Sequence, residues 1–138
     1  MTKDKHAARA VLVVEDNALL KLFMSNLVVR DGFVALQASN AEEAMTVLES
    51  RPDVALLVTN VAMRGSMNGV ELAHAVDKRW PSVKIIVVSA QPGLSEADLP
   101  VRSFVLAKPY HDEELAFEIR ALMGVANKGN LASDGAQA

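Results

Sequence analysis

The sequence has 138 residues, 51% of them hydrophobic, no cysteine, and 14 basic against 17 acidic side chains, a net charge of −3. At that length one core buries roughly two-thirds of the unfolded surface without a disulfide or metal staple, and the missing thiols exclude cysteine catalysis and cysteine-ligated zinc. Faint acidity without a Lys/Arg cluster argues against nucleic acid or a membrane surface as partner; no apolar run approaches the ~18 residues of a membrane span or builds a signal peptide before Glu15 interrupts it, so a cytoplasmic chain is expected.

Residues 1–8 are polar and residues 125–138 carry no apolar period, which predicts disordered tails around one folded domain at 9–124. A strand is predicted at 11–14, then a helix at 17–30 that ends at Asp31-Gly32, where glycine can take the left-handed cap. That helix is apolar on more than one face. Leu19, Leu20, Leu22, Phe23, Met24, Leu27, Val28 and Val29 exceed what one buried stripe needs, so either part of it serves a partner or the whole is deeply buried. A strand at 34–38 follows, then a helix opened by Asn40 with Glu43 placed as in a capping box, an apolar face of Ala41, Ala44, Met45 and Leu48, and Pro52 as its stop.

After a strand at 54–59, Asn68-Gly69 resembles a hairpin turn. The residues beyond it have helical period instead, Leu72, Val76 and Trp80 recurring before Pro81, so the pair is read as the entry to a third helix. A strand at 85–88 leads into 90–102, where Pro92, Gly93 and Pro100 leave room for one or two helical turns near 95–99. A strand at 104–107 and a helix with Leu115, Ile119, Leu122 and Met123 on one face, and Asp112, Glu113 and Glu114 at its positive end, close the domain. Three of the strands are nearly continuously apolar, as parallel strands covered on both faces are. The alternation predicts an α/β fold, a doubly wound five-stranded parallel sheet with helices on both faces and a shortened helix before the last strand.

Ligands of such sheets gather beyond the carboxyl ends of the strands. There the sequence puts Glu15 and Asp16 after the first strand, Asn60 after the third, Ser89 after the fourth and Lys108-Pro109 after the fifth. Two adjacent carboxylates repel by several kcal/mol at an effective dielectric of about 20, so a fold that juxtaposes them commonly offsets the repulsion with a cation, and hard oxygen donors suggest magnesium. A lysine and a hydroxyl on neighbouring strands suit an anion. Together they describe a rim fit for a phosphoryl group beside a divalent ion.

Four segments, VLVVEDN at 11–17, LLVTNVAMRGSMNGVELA at 56–73, VVSA at 87–90 and LAKPY at 106–110, resemble the receiver domain of two-component response regulators, with its flavodoxin-like fold, over about 9–124. The resemblance implies a magnesium-binding acidic pair at Glu15 and Asp16 with the Ala62 carbonyl as a further ligand, a sensing hydroxyl at Ser89, and Lys108 pairing with the phosphoryl group before a cis Pro109. It also implies a phosphorelay role, a histidine kinase or phosphotransfer protein as donor docking near the first helix, a separate output protein, and homodimers formed through the last helices and strand.

One departure dominates. The family's phosphoacceptor aspartate falls on Asn60, whose amide oxygen is a poor nucleophile because the nitrogen lone pair is delocalised, and it cannot form an acyl phosphate. Asn60 can still lend a neutral oxygen to a cation, with weakened magnesium affinity. Two explanations compete, a natural pseudo-receiver or a deliberate replacement of aspartate, and an aspartate codon at position 60 would identify the second. A smaller departure is Val105, which stands where the family commonly has an aromatic switch.

Each residue also has a plainer reading. Asp16 could be a helix cap, Ser89 a turn residue, Lys108 a solvated charge, and Asn60 a residue that satisfies loop amides. His6, His74 and His111 lack paired spacing and read as surface residues; Trp80 and the six methionines read as packing. An enzyme alternative, a small magnesium-dependent phosphatase or phosphotransferase, lacks the aspartate spacing it needs around Glu15 and Asp16. A flavin module would meet repulsion from Glu15 and Asp16 where its phosphate should sit.

Overall fold

The structure, a computed structural model, describes residues 9–91 and 93–124, so the expected tails at 1–8 and 125–138 lie outside the described residues. Five strands, β1 (Ala10–Val14), β2 (Val34–Ala38), β3 (Val54–Asn60), β4 (Lys84–Ser89) and β5 (Ser103–Ala107), alternate with α1 (Ala18–Arg30), α2 (Ala41–Ser50) and α3 (Gly69–Arg79), and α4 (Asp112–Met123) follows the last strand. All strand pairs are parallel, in the order β2-β1-β3-β4-β5. The expected α/β architecture is present.

Alternation along each strand feeds two cores. Leu12, Val14, Leu57, Ile85 and Val87 point into one beneath α2 and α3, packing on Ala44, Leu48, Leu72 and Val76. Val11, Val13, Leu56, Val58, Ile86 and Val88 point into the other beneath α1 and α4, against Leu27, Val28, Leu115 and Ile119. A strand buried on both faces cannot alternate apolar with polar, which is why β1, β3 and β4 read as unbroken apolar runs.

The helix ends follow their capping residues. Asn17 caps α1 by accepting from the Leu20 N–H, and Gly32 takes the left-handed turn beyond it at φ +91°. At α2, Asn40 accepts from the Glu43 N–H at 2.8 Å, but the Glu43 carboxylate reaches past the cap to the Ser39 N–H at 2.7 Å, so the reciprocal box expected there is displaced by one residue. A complete box stands at α3. There Asn68 and Glu71 exchange backbone and side-chain bonds at 2.9 Å each, which makes Asn68-Gly69 a helix entry and not a hairpin.

Between β4 and β5 the described residues form only a 3-10 turn at Glu96–Asp98, the shortened helix expected from Pro92, Gly93 and Pro100. Ser95 and Asp98 cap it, and His74 of α3 ties it down with its Nε2 at 2.9 Å from the Asp98 carbonyl. No helix among the described residues is long and apolar enough to cross a membrane.

A rim at the carboxyl ends of the strands

Register brings the residues of the rim level. Val14 lies beside Thr59, Asn60 beside Val88 and Ser89 beside Ala107, so the strands that precede Glu15, Asn60, Ser89 and Lys108 end on one side of the sheet. Asn60, Ala62, Ser89 and Lys108 line one pocket of about 280 Å³. Glu15 and Lys108 share the wall of a second cavity of about 510 Å³, bounded by Leu20, Phe23 and Met24 of α1 and by Tyr110. Lys108 belongs to both cavities, and the Lys108-Pro109 peptide bond is cis.

Asp16 sits apart. It is exposed and lines neither cavity, and its Oδ2 accepts from the Arg64 N–H at 3.2 Å. Glu15, in contrast, is 3% exposed and accepts from the Asn17 N–H at 2.9 Å. Burial pushes the Glu15 carboxyl above the ordinary glutamate range; the Asn17 N–H and Lys108 pull it back, while Asp16 adds to the rise. Burial likewise raises the Tyr110 phenol, with Asp112 and Glu15 contributing.

Asn60 is buried, and its Nδ2 donates to the Ala62 carbonyl at 2.9 Å. That contact fixes which way the amide faces, because turning it over would set two acceptor oxygens against each other. Ser89 is also buried, its Oγ accepting from the Gln91 N–H at 2.8 Å. Val105 is half-buried against the α2–α3 core.

Three contributors escaped the sequence reading. Arg64 acts through its backbone N–H, which no side-chain pattern announces. Gly69 matters because a Cβ there would lie 2.1 Å from the Asn60 carbonyl oxygen, so only glycine lets α3 start this close to β3; its N–H donates to the Val61 carbonyl at 2.8 Å. Tyr110 follows Lys108-Pro109 directly, and that adjacency was the available signal.

The response regulator receiver domain model matches residues 11–120. The chain belongs to the response regulator receiver family. Among curated relatives, it is 26% identical over 118 residues to the response regulator receiver protein CpdR of Brucella abortus, a match covering 83% of this chain and 97% of that one. It is 28% identical over 115 residues to the heme response regulator HssR of Staphylococcus saprophyticus, covering 81% of this chain but 50% of that longer protein. Among solved structures, a response regulator receiver protein from Sinorhizobium medicae superimposes with a TM-score of 0.77 at 22% identity, covering 85% of this chain and 95% of that one. TrrA from Thermotoga maritima, solved with Mg(2+)-BeF, gives 0.71 at 24% identity over 83% of this chain and 98% of that one. These last two likenesses establish the fold.

Proposed function

We propose that this receiver works as a signalling and interaction module of a two-component phosphorelay, without itself accepting phosphate at Asn60. The observation that carries the reading is the bond from Asn60 Nδ2 to the Ala62 carbonyl. An acyl phosphate needs a carboxylate oxygen to attack phosphorus; Asn60 offers a weakly nucleophilic amide and turns its nitrogen to its own loop. Ser89 and Lys108 remain beside it for sensing and pairing, and Lys108 faces a neutral partner where the family supplies an anion.

The residues that would hold magnesium are Glu15, Asp16, the Ala62 carbonyl and the Asn60 oxygen, and they fit the ion poorly as arranged. The Ala62 carbonyl already has a donor and Asp16 is held by the Arg64 N–H. Among the described residues no cluster of three or more acidic, histidine or cysteine side chains could hold a metal. Binding is therefore weak and competes with the amide–carbonyl bond. When bound, the ion would supply positive charge to an incoming phosphate.

Partners follow from the first helix. Leu19, Leu22, Phe23 and Val29 are 59%, 49%, 53% and 58% exposed, so the deeply buried alternative for α1 does not hold. We assign this surface to a histidine kinase or phosphotransfer protein, with output passing to a separate protein in the cytoplasm. Competition for the donor would then transmit a signal without phosphate on this chain.

Incubation with acetyl phosphate and magnesium tests the inert rim. The expected result is no adduct by intact-mass spectrometry, with phosphorylation gained by Asn60→Asp. A stoichiometric acid-labile adduct on the unaltered chain, lost in Asn60→Ala, would refute the reading. Turnover of a generic phosphoester would instead favour the phosphatase alternative.

A further inference from the structure

Leu20, Phe23, Met24 and Leu27 recur at the three- and four-residue spacing that sets side chains on one side of a helix. Together they form the α1 wall of the cavity of about 510 Å³, to which the turn from β5 into α4 contributes Pro109 and Tyr110. Met24 and Leu27 are buried, but Leu20 and Phe23 are 38% and 53% exposed, so apolar surface is left bare to solvent. A concave, mainly apolar site of about 300–1,000 Å³ with a few convergent polar groups is the form that small-ligand sites take.

The charged groups of the lining are two acids, Glu15 and Asp112, and one base, Lys108. Glu15 is 3% exposed, and the charge of Lys108 acts on it. Asp112 is exposed in the first turn of α4 and has no ion-pair partner among the described residues, so it is the carboxylate a ligand can reach. Burial, Asp112 and Glu15 all hold the proton on the Tyr110 phenol, which places that ring near both acids. The bases of α1 are engaged elsewhere, Lys21 with Ser39 Oγ at 2.5 Å and Arg30 with Glu113 at 3.2 Å. Asp16 adds negative charge beside Glu15, while His111 and Glu114 flank this part of α4 without lining the cavity. An anion entering here meets two carboxylates for one ammonium; a cation meets the reverse.

We propose that this cavity binds a small amphiphilic amine, its apolar body on Leu20, Phe23, Met24 and Leu27 and its ammonium donating to the Asp112 carboxylate. Burial of the apolar body would supply most of the affinity, and the acid would select the sign of the headgroup. The aromatic faces of Phe23 and Tyr110 favour the same sign, because a ring face attracts an ammonium. The inference uses neither Asn60 nor the docking of a phosphodonor, so its failure leaves the proposed function standing.

The test uses the full chain and probes that share one phenyl ring: 2-phenylethylamine as the cation, 2-phenylethanol as the neutral analogue and 3-phenylpropionate as the anion. Nitrogen-proton and methyl NMR spectra are expected to show saturable shifts centred on Leu20, Phe23, Met24, Leu27 and Tyr110, with a Kd for the amine of about 1 mM or tighter. The amine should bind at least about threefold tighter than the alcohol and tenfold tighter than the propionate, and added salt should narrow both gaps. Asp112→Asn should remove the advantage of the amine over the alcohol while leaving the alcohol's own affinity unchanged, a result that a merely structural role for Asp112 would not give. Phe23→Ala should weaken the amine and the alcohol by a similar, several-fold factor. Propionate binding as tightly as the amine, shifts confined to Asn60, Ser89 and Lys108, no saturation by about 20 mM amine, or an amine advantage that survives Asp112→Asn would each overturn the proposal.

Discussion

The rim and the α1 cavity meet at Lys108, and they differ in how far their groups are already satisfied. At the rim Glu15 holds the Asn17 N–H, Asp16 the Arg64 N–H, Ser89 the Gln91 N–H, and Ala62 receives the Asn60 amide. In the cavity Leu20 and Phe23 leave apolar surface bare, and Asp112 has no ion-pair partner among the described residues. A region whose donors and acceptors are spoken for responds weakly to a ligand; one that leaves apolar surface and a carboxylate unmatched gains by acquiring one. The difference separates where this family's chemistry resides from where this chain has binding capacity left.

Substitutions at the two regions should therefore differ in size. Gly69→Ala drives a Cβ into the Asn60 carbonyl and should destabilise the fold by about 1–3 kcal/mol in urea titration, whereas Phe23→Ala on the exposed side of the cavity should cost less than about 1 kcal/mol. Equal losses at both would erase the distinction between a packed rim and an open cavity.

Asn60→Asp is next in magnitude. It breaks the bond to Ala62 and adds a third carboxylate beside Glu15 and Asp16, so the metal-free protein should lose on the order of 1 kcal/mol or more. Magnesium should restore that stability in the variant and leave the unaltered chain unmoved in a thermal melt. An identical magnesium response in both proteins would show that Asn60 does not close the rim.

The smallest effect is a control outside both regions, at Glu118 of α4, and has a pH signature. Burial and Glu96 raise the Glu118 carboxyl above its ordinary value, so the folded state holds that proton more tightly than the unfolded chain does. Stability attached to the group is then full below the ordinary glutamate range and is lost as pH rises through the raised value. Glu118→Gln should be slightly the more stable protein at neutral pH, with the gap closing in acid; a gap that widens in acid would contradict the assignment.

Much of the fold was legible because burial on both faces leaves a strong trace: the strands at 11–14, 54–59 and 85–88 were read as apolar runs and lie within β1, β3 and β4. Asn68-Gly69 was separable from a hairpin through the helical spacing of Leu72 and Val76. The face of α1 was not legible, since apolar residues surround it and no period says which side is bare; packing decides that Met24, Leu27 and Val28 go in while Leu22 and Phe23 stay out. At the rim the residue types could be named from strand ends, but not the direction of the Asn60 amide or the reach of the Arg64 N–H, both of which depend on how the loop after β3 lies.

Closure of the rim rests most on the Asn60 amide folding onto its own loop, and the side-chain NH2 of Asn60 reports on it directly. In a nitrogen-proton correlation spectrum its two protons should be shifted apart by the bond to Ala62, exchange slowly with water, and stay in place as magnesium is raised into the millimolar range. An Asn60 NH2 that exchanges freely, or that moves and saturates at micromolar magnesium, would contradict the account.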